Sequence, residues 1–187
     1  AIANPLLDDV SMHGARGLLR VGLDMTPEHP EYESARTEFL TEYEQNMTRH
    51  TTLFPGIRQL LSALQEGGYT WGIVTNKVEY LAMPLVTHLG LDQYCAITVG
   101  GDTTPHPKPH PAPLLYAAER TGFAPSSAIY IGDDERDIIA GRAAGMATVV
   151  AAYGYCGEST TLSDWAATAI AKQPDHLFKV IEDWARG

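Results

Sequence analysis

Positive charge is scarce in this chain of 187 residues. Thirteen lysines and arginines stand against 23 aspartates and glutamates, a formal net charge of −10. That balance makes nucleic acid and anionic membrane surfaces poor partners, although a local basic site for a small anion remains compatible with it. Cysteine is nearly absent too: Cys95 opens an apolar run, Cys156 sits among glycines, and the two form no metal-ligand pattern. A disulfide framework is therefore not expected, and a reducing cytoplasm suits the composition. No signal peptide and no apolar run long enough to cross a bilayer is evident. Internal repeats, low-complexity stretches and long charge blocks are also lacking. With 44% hydrophobic residues, what remains is enough for one well-buried domain with a small appendage.

The first fifty residues read as polar and helical, with a helix expected from about Tyr32 to Met47 and no strand signal before Leu53. From Pro55 the pattern changes. Ile57, Leu60, Leu61 and Leu64 mark one face of a helix that Gly67 and Gly68 end. Short apolar strands are expected at Trp71–Val74, Ala96–Val99, Ala128–Ile131 and Thr148–Ala151, with an edge strand at Thr168–Ala171. Amphipathic helices separate them, and the last two span about Leu162–Ala167 and His176–Trp184. This alternation predicts an α/β fold with a Rossmann-like parallel sheet, helices on both faces and a small α-helical cap. The expected division is a cap over residues 1–52 and a core over residues 53–187. In such sheets the chemistry lies at the carboxyl ends of the strands.

Three strand exits carry candidates. Thr75, Asn76 and Lys77 follow the first strand at once; Thr75 and Asn76 suit phosphate, and helix capping is the plainer alternative. Lys108 stands in Pro105-His106-Pro107-Lys108-Pro109-His110-Pro111, a loop stiffened by residues without a backbone N–H. A lysine held there can neutralise a phosphoryl oxygen or keep a neighbouring carboxylate ionised. Gly132-Asp133-Asp134-Glu135-Arg136-Asp137 then sets acids behind a strand, with Asp133 and Asp137 one helical turn apart. Hard oxygen ligands at this density suit Mg²⁺, with Asp133, Asp137 and Asp134 as candidate ligands. Favourable placement of acids at a helix N-terminus accounts for Asp134 and Glu135 but less well for Asp133.

The order of these exits resembles the second, third and fourth motifs of the haloacid dehalogenase superfamily, in its phosphoglycolate phosphatase-like branch. Leu53-Phe-Pro-Gly56, Gly72-Ile-Val-Thr-Asn-Lys77, Lys108-Pro-His-Pro111, Ala143-Ala-Gly145 and Tyr153-Gly-Tyr155 support it. Glu38-Phe-Leu-Thr-Glu-Tyr43 and the Gly-Asp-Asp-x-Arg-Asp form are also similar to bacterial N-acetylmuramic acid 6-phosphate phosphatases. The resemblance implies a Mg²⁺-dependent phosphatase of small phosphorylated metabolites, monomeric or homodimeric. In it an aspartate attacks phosphorus, Thr75 binds the phosphoryl group, Lys108 steadies the transferring charge, and Asp133, supported by Asp137 and Asp134, holds the metal. Cap residues, His13 and Arg16 foremost, would contact the leaving group.

The family's first motif, an apolar strand followed by Asp-x-Asp-Gly-Thr, does not occur here. Neither Asp8-Asp9 nor the single aspartate of Leu23-Asp24-Met25 has the right spacing behind a strand. The first core strand is thus expected to be absent from the chain, which begins at Ala1 inside the family's fold. That strand belongs between the second and fourth in the family's order, so its absence would leave central backbone groups unpaired. A non-catalytic phosphate- or metal-binding relative is the alternative. A phospho-acceptor receiver ranks lower because its acids precede its threonine and lysine, and a sugar-phosphate mutase would need the same missing aspartates.

Overall fold

The computed structural model of the protein describes residues 2–3, 19–20, 22–156 and 161–186. Strand β1 (Ile2–Ala3) is followed by helix α1 (Tyr32–Asn46), β2 (Thr52–Leu53), α2 (Ile57–Glu66), β3 (Ile73–Val74) and α3 (Glu79–His88). Then come β4 (Thr98–Val99), α4 (Ala112–Thr121), β5 (Ile129–Gly132), α5 (Glu135–Ala143), β6 (Ala147–Ala151), β7 (Ala169–Ala171) and α6 (Pro174–Arg186). The expected α/β alternation is present. The final expected helix pair is altered: Leu162–Trp165 is a short 3₁₀ turn, and α6 is longer than its apolar core suggested.

Strands β5, β6 and β7 pair in parallel, as do β3 and β4. Helices α2 and α6 cover one face, where Ile57, Leu60, Leu64, Leu177 and Ile181 pack on Val149 and Ala171. On the other face Leu114 of α4 meets Ala140 and Ala144 at the end of α5, with Val74 and Tyr130 against them. Helix α1 docks on α3 through Tyr43, Met47, Leu81 and Leu85. Two strands were not foreseen. Ile2–Ala3 pairs antiparallel with Thr52–Leu53, a two-residue match too short to leave a periodic signal.

Among the described residues no backbone ladder joins the two parallel sheets; the Tyr130 hydroxyl of β5 bridges them by donating to the Val74 carbonyl of β3 at 2.9 Å. Ile73 and Thr75 donate toward β4, to the carbonyls of Ile97 and Val99. The backbone groups of Val74 therefore face the opposite way, toward β5. Between β3 and β5 lies a cavity of about 650 Å³, walled by α2, α4 and α6 and by the facing strands. Residues of β3 and β5 are only half-buried, whereas Val149, Val150 and Ala151 of β6 are fully covered. A four-residue strand occupies roughly 600 Å³ at ~3.3 Å rise, ~4.8 Å strand spacing and ~10 Å layer spacing. The gap is thus the size of one short strand.

Candidate active site

The mouth of this cavity collects the strand exits. Asn76 and Lys108 grip each other by backbone and side chain: the Lys108 N–H donates to Asn76 Oδ1 at 2.9 Å, and Asn76 Nδ2 donates to the Lys108 carbonyl at 2.9 Å. This pair fixes the proline-framed loop to the end of β3. Thr75 Oγ1 accepts the Lys77 N–H at 3.1 Å, so Thr75 shapes the turn while its hydroxyl proton stays available for an anion.

The Lys108 side chain runs inward. Its Nζ donates to Asp137 Oδ1 at 2.7 Å, to the Tyr130 hydroxyl at 2.8 Å and to the Val74 carbonyl at 3.0 Å. Burial works against the charged amine, but the Tyr130 oxygen and the Asp137 carboxylate outweigh it and hold Lys108 above the ordinary lysine range. Burial likewise pushes the Tyr130 phenol up, opposed by the Lys108 charge and reinforced by Asp137.

The acids behind β5 are distributed rather than gathered. Asp137 serves Lys108 with one oxygen, and its other oxygen accepts the Asp134 N–H at 3.3 Å in a capping box that starts α5. Asp134 turns onto Arg136, which donates through Nε and Nη2, each at 2.8 Å. Burial alone would raise the Asp134 carboxyl, but the Arg136 bonds and charge prevail and hold it below the usual carboxylate value. Asp133 accepts the Tyr155 N–H at 2.8 Å and, among the described residues, makes no ion pair.

Two glycines permit this layout. A Cβ on Gly132 would strike the Asp137 carboxylate, and one on Gly154 would strike that of Asp133. Among the described residues no three His, Cys, Asp or Glu converge as a metal cluster. The donor chemistry still fits Mg²⁺, which takes one or two carboxylates and fills its octahedron with water and phosphate oxygens; Asp133 is the carboxylate left free of a cation.

Sequence reasoning brought Thr75, Asn76, Lys108 and Asp133 to one place, and the structure does the same. It missed Tyr130, Tyr153 and the Val74 carbonyl. Tyr130 and Tyr153 lie in apolar or aromatic surroundings that read as core. Tyr153 packs edge-on against Phe54, its hydroxyl buried with no hydrogen-bond partner among the described atoms. Burial and then the Asp133 charge push its phenol up to about 12. Lys77, the third residue of the β3 strand exit, is buried and donates to the Tyr43 hydroxyl of α1 at 2.8 Å. His13 and Arg16 lie outside the described residues.

Fold and site together define a parallel α/β protein whose cationic and acidic groups meet where its strands end. The chain belongs to the haloacid dehalogenase-like hydrolase family, whose model matches residues 19–151. It is 47% identical over 148 residues to a phosphoglycolate phosphatase of Xanthomonas campestris pv. campestris (strain 8004), covering 79% of this chain and 66% of that relative. It is 35% identical over 182 residues to an N-acetylmuramic acid 6-phosphate phosphatase of Pseudomonas putida, covering 97% and 82% of the two. A crystal structure described as a predicted phosphoglycolate phosphatase from Haemophilus somnus superposes with a TM-score of 0.80 at 27% identity, over 90% of this chain and 74% of that one. The matched stretch thus spans about two thirds of the Xanthomonas relative's length. Among the described residues, no helix is long and apolar enough to cross a membrane.

Proposed function

We propose that the protein is a Mg²⁺-dependent phosphatase acting in the cytoplasm on a small phosphomonoester, 2-phosphoglycolate or a sugar phosphate such as N-acetylmuramic acid 6-phosphate. The observation that carries this reading is the reciprocal Asn76–Lys108 pair, which ties a buried, triply bonded ammonium to the Thr75 turn. Thr75 and Asn76 hold the phosphoryl oxygens, and Lys108 neutralises charge that grows during transfer. Asp133, with Asp134 beside it, would hold the metal, which supplies further charge neutralisation when bound. Asp137 serves chiefly by holding Lys108, a narrower role than metal ligand. The attacking aspartate, which would form the aspartyl-phosphate, belongs to a segment outside this sequence, and the strand-sized gap between β3 and β5 is where its strand would sit.

Residues 1–52 act as a cap that selects the leaving group, and the rest as the catalytic core. The β1–β2 pairing supports this division, because it brings both ends of the intervening stretch together. Both named substrates carry a carboxylate in addition to the phosphoester, adjacent to it in 2-phosphoglycolate and across the sugar ring in N-acetylmuramic acid 6-phosphate.

The test is turnover of 2-phosphoglycolate, N-acetylmuramic acid 6-phosphate and an aryl phosphate by the full gene product, with and without Mg²⁺. Metal-dependent phosphate release from one of the acids, at a kcat/KM well above the aryl phosphate, is expected. No turnover of any of the three would favour the reading as a phosphate- and metal-binding protein without catalysis, for which the lack of Asp-x-Asp-Gly-Thr in the sequence speaks.

A further inference from the structure

We infer that Tyr43 is a positioning residue that seats helix α1 of the cap against the phosphate-holding turn through Lys77, and so governs discrimination between leaving groups rather than the chemical step. The inference rests on the reading of Thr75 as a phosphoryl holder and of residues 1–52 as the cap.

The turn is clamped from the β4 side. Thr75 Oγ1 accepts the Lys77 N–H at 3.1 Å, and the Lys77 carbonyl accepts the Gly101 N–H at 2.8 Å. Further along the turn, Glu79 donates its N–H to Asp102 Oδ1 at 2.7 Å and accepts the Thr103 hydroxyl at 3.0 Å. A Cβ on Gly100 would strike the Glu79 backbone, and one on Gly101 the Asn76 carbonyl, so the loop after β4 lies flush against the turn. With its N–H and carbonyl both held, the Lys77 backbone is a fixed point beside Thr75.

The Lys77 side chain carries that fixed point into α1. Its Nζ donates to the Tyr43 hydroxyl at 2.8 Å and stands 4.8 Å from the centre of the Tyr43 ring. Both side chains are buried, among Met47, Leu81 and Leu85 where α1 meets α3. Apolar packing is non-directional and tolerates sliding of one helix on another. A hydrogen bond from an ammonium is directional and roughly twice as strong as a neutral one, so this bond sets the register of α1. Cap residues that meet a leaving group are aimed by α1. A shift of α1 would move them relative to a phosphoryl group at Thr75 while leaving Thr75 in place. Tyr43, Lys77, Gly101 and Asp102 do not wall the gap between β3 and β5, and all four fall within the family-matched residues 19–151. A strand seated in the gap therefore meets neither end of the bond.

The experiment is Tyr43→Phe in the full gene product, which keeps the ring beside the ammonium and removes the oxygen. Expected is a kcat/KM about tenfold lower for whichever of 2-phosphoglycolate and N-acetylmuramic acid 6-phosphate is turned over faster, carried mainly by KM, with that of an aryl phosphate within about twofold of wild type. A position that merely supports the fold would lower all three by the same factor. Placing 3-fluorotyrosine at position 43, which retains the hydroxyl, should restore the ratio. A measurement without turnover runs alongside: backbone amides of α1 should exchange about threefold faster in Tyr43→Phe, while those of Val149–Ala151 keep their rates. An unchanged ratio, equal losses on all three substrates, a ratio that 3-fluorotyrosine fails to restore, or unchanged α1 exchange overturns the inference. A wild-type protein that hydrolyses no phosphoester, with α1 exchange raised in the variant, overturns the phosphatase reading and the selectivity role with it, and leaves the seating of α1 by Lys77 standing.

Discussion

Lys108 Nζ and Asp137 Oδ1 lie 2.7 Å apart, and each side chain keeps only 9% of its surface exposed. The pair joins the proline-framed loop to the first turn of α5, so it is both a structural tie and the means of presenting a cation. Removing either partner strands the other. Asp137→Ala is expected to destabilise the fold by about 3 kcal/mol and to lower kcat at least a hundredfold. Urea unfolding and steady-state kinetics check the two parts separately. Lys108→Ala should cost as much activity.

Of the three candidate metal ligands, Asp133 alone has no cation beside it among the described residues, and the proposed metal dependence is tested there. Asp133→Ala should remove most turnover, whereas Asp134→Asn should leave a measurable rate with a raised Mg²⁺ requirement. Chelation should abolish activity reversibly. Mg²⁺ titrations of the two variants against wild type decide the order.

The gap between the sheets predicts uneven protection. Backbone amides of β3 and β5 should exchange with solvent much faster than those of Val149–Ala151, because the latter are fully buried and paired on both sides. Hydrogen exchange read by mass spectrometry or NMR will rank them. Equal protection of β5 and β6 would mean the gap is closed in solution.

Tyr153 supplies an alkaline signature. Its folded phenol is raised to about 12, against about 10 in an unfolded chain. The folded state therefore favours the neutral form. That contribution is fully present below pH ~10 and is lost as pH rises toward the folded value. Absorbance at 295 nm should show one tyrosine titrating late, and Asp133→Asn should bring it earlier by removing the neighbouring charge.

Gly132→Ala offers a steric test. The added Cβ collides with the Asp137 carboxylate, so the variant should lose both stability and activity. Gly72→Ala would meet Ile97 instead, away from the site, and should lose stability with kcat of the folded fraction retained.

Much of this was legible in the chain itself. Thr75 and Asp133 announce themselves because strands end in apolar runs and the next residues are polar with no packing reason to be, and Lys108 because prolines frame it. The helix of Ile57, Leu60 and Leu64 follows from its spacing. Asp137 was harder. One helical turn separates it from Asp133, and that spacing suits a shared metal as well as it suits a lysine arriving from another loop; only the fold distinguishes them. Tyr130 was invisible for a different reason. Within Ala-Ile-Tyr-Ile an aromatic reads as core, which its ring is, and no local pattern tells where its hydroxyl will end. The Lys77–Tyr43 bond joins residues 34 apart, a tertiary relationship that periodicity does not encode. The β1–β2 pairing is likewise tertiary.

That pairing has an evolutionary meaning. Because Ile2–Ala3 and Thr52–Leu53 lie side by side, the stretch between them starts and ends at one place, and α1 within it also packs on α3 through Tyr43 and Met47. A lineage can lengthen, shorten or replace that stretch as one cassette while β3 to β7 and their strand exits stay in register. If that stretch is the proposed cap, selectivity would diversify among relatives faster than chemistry.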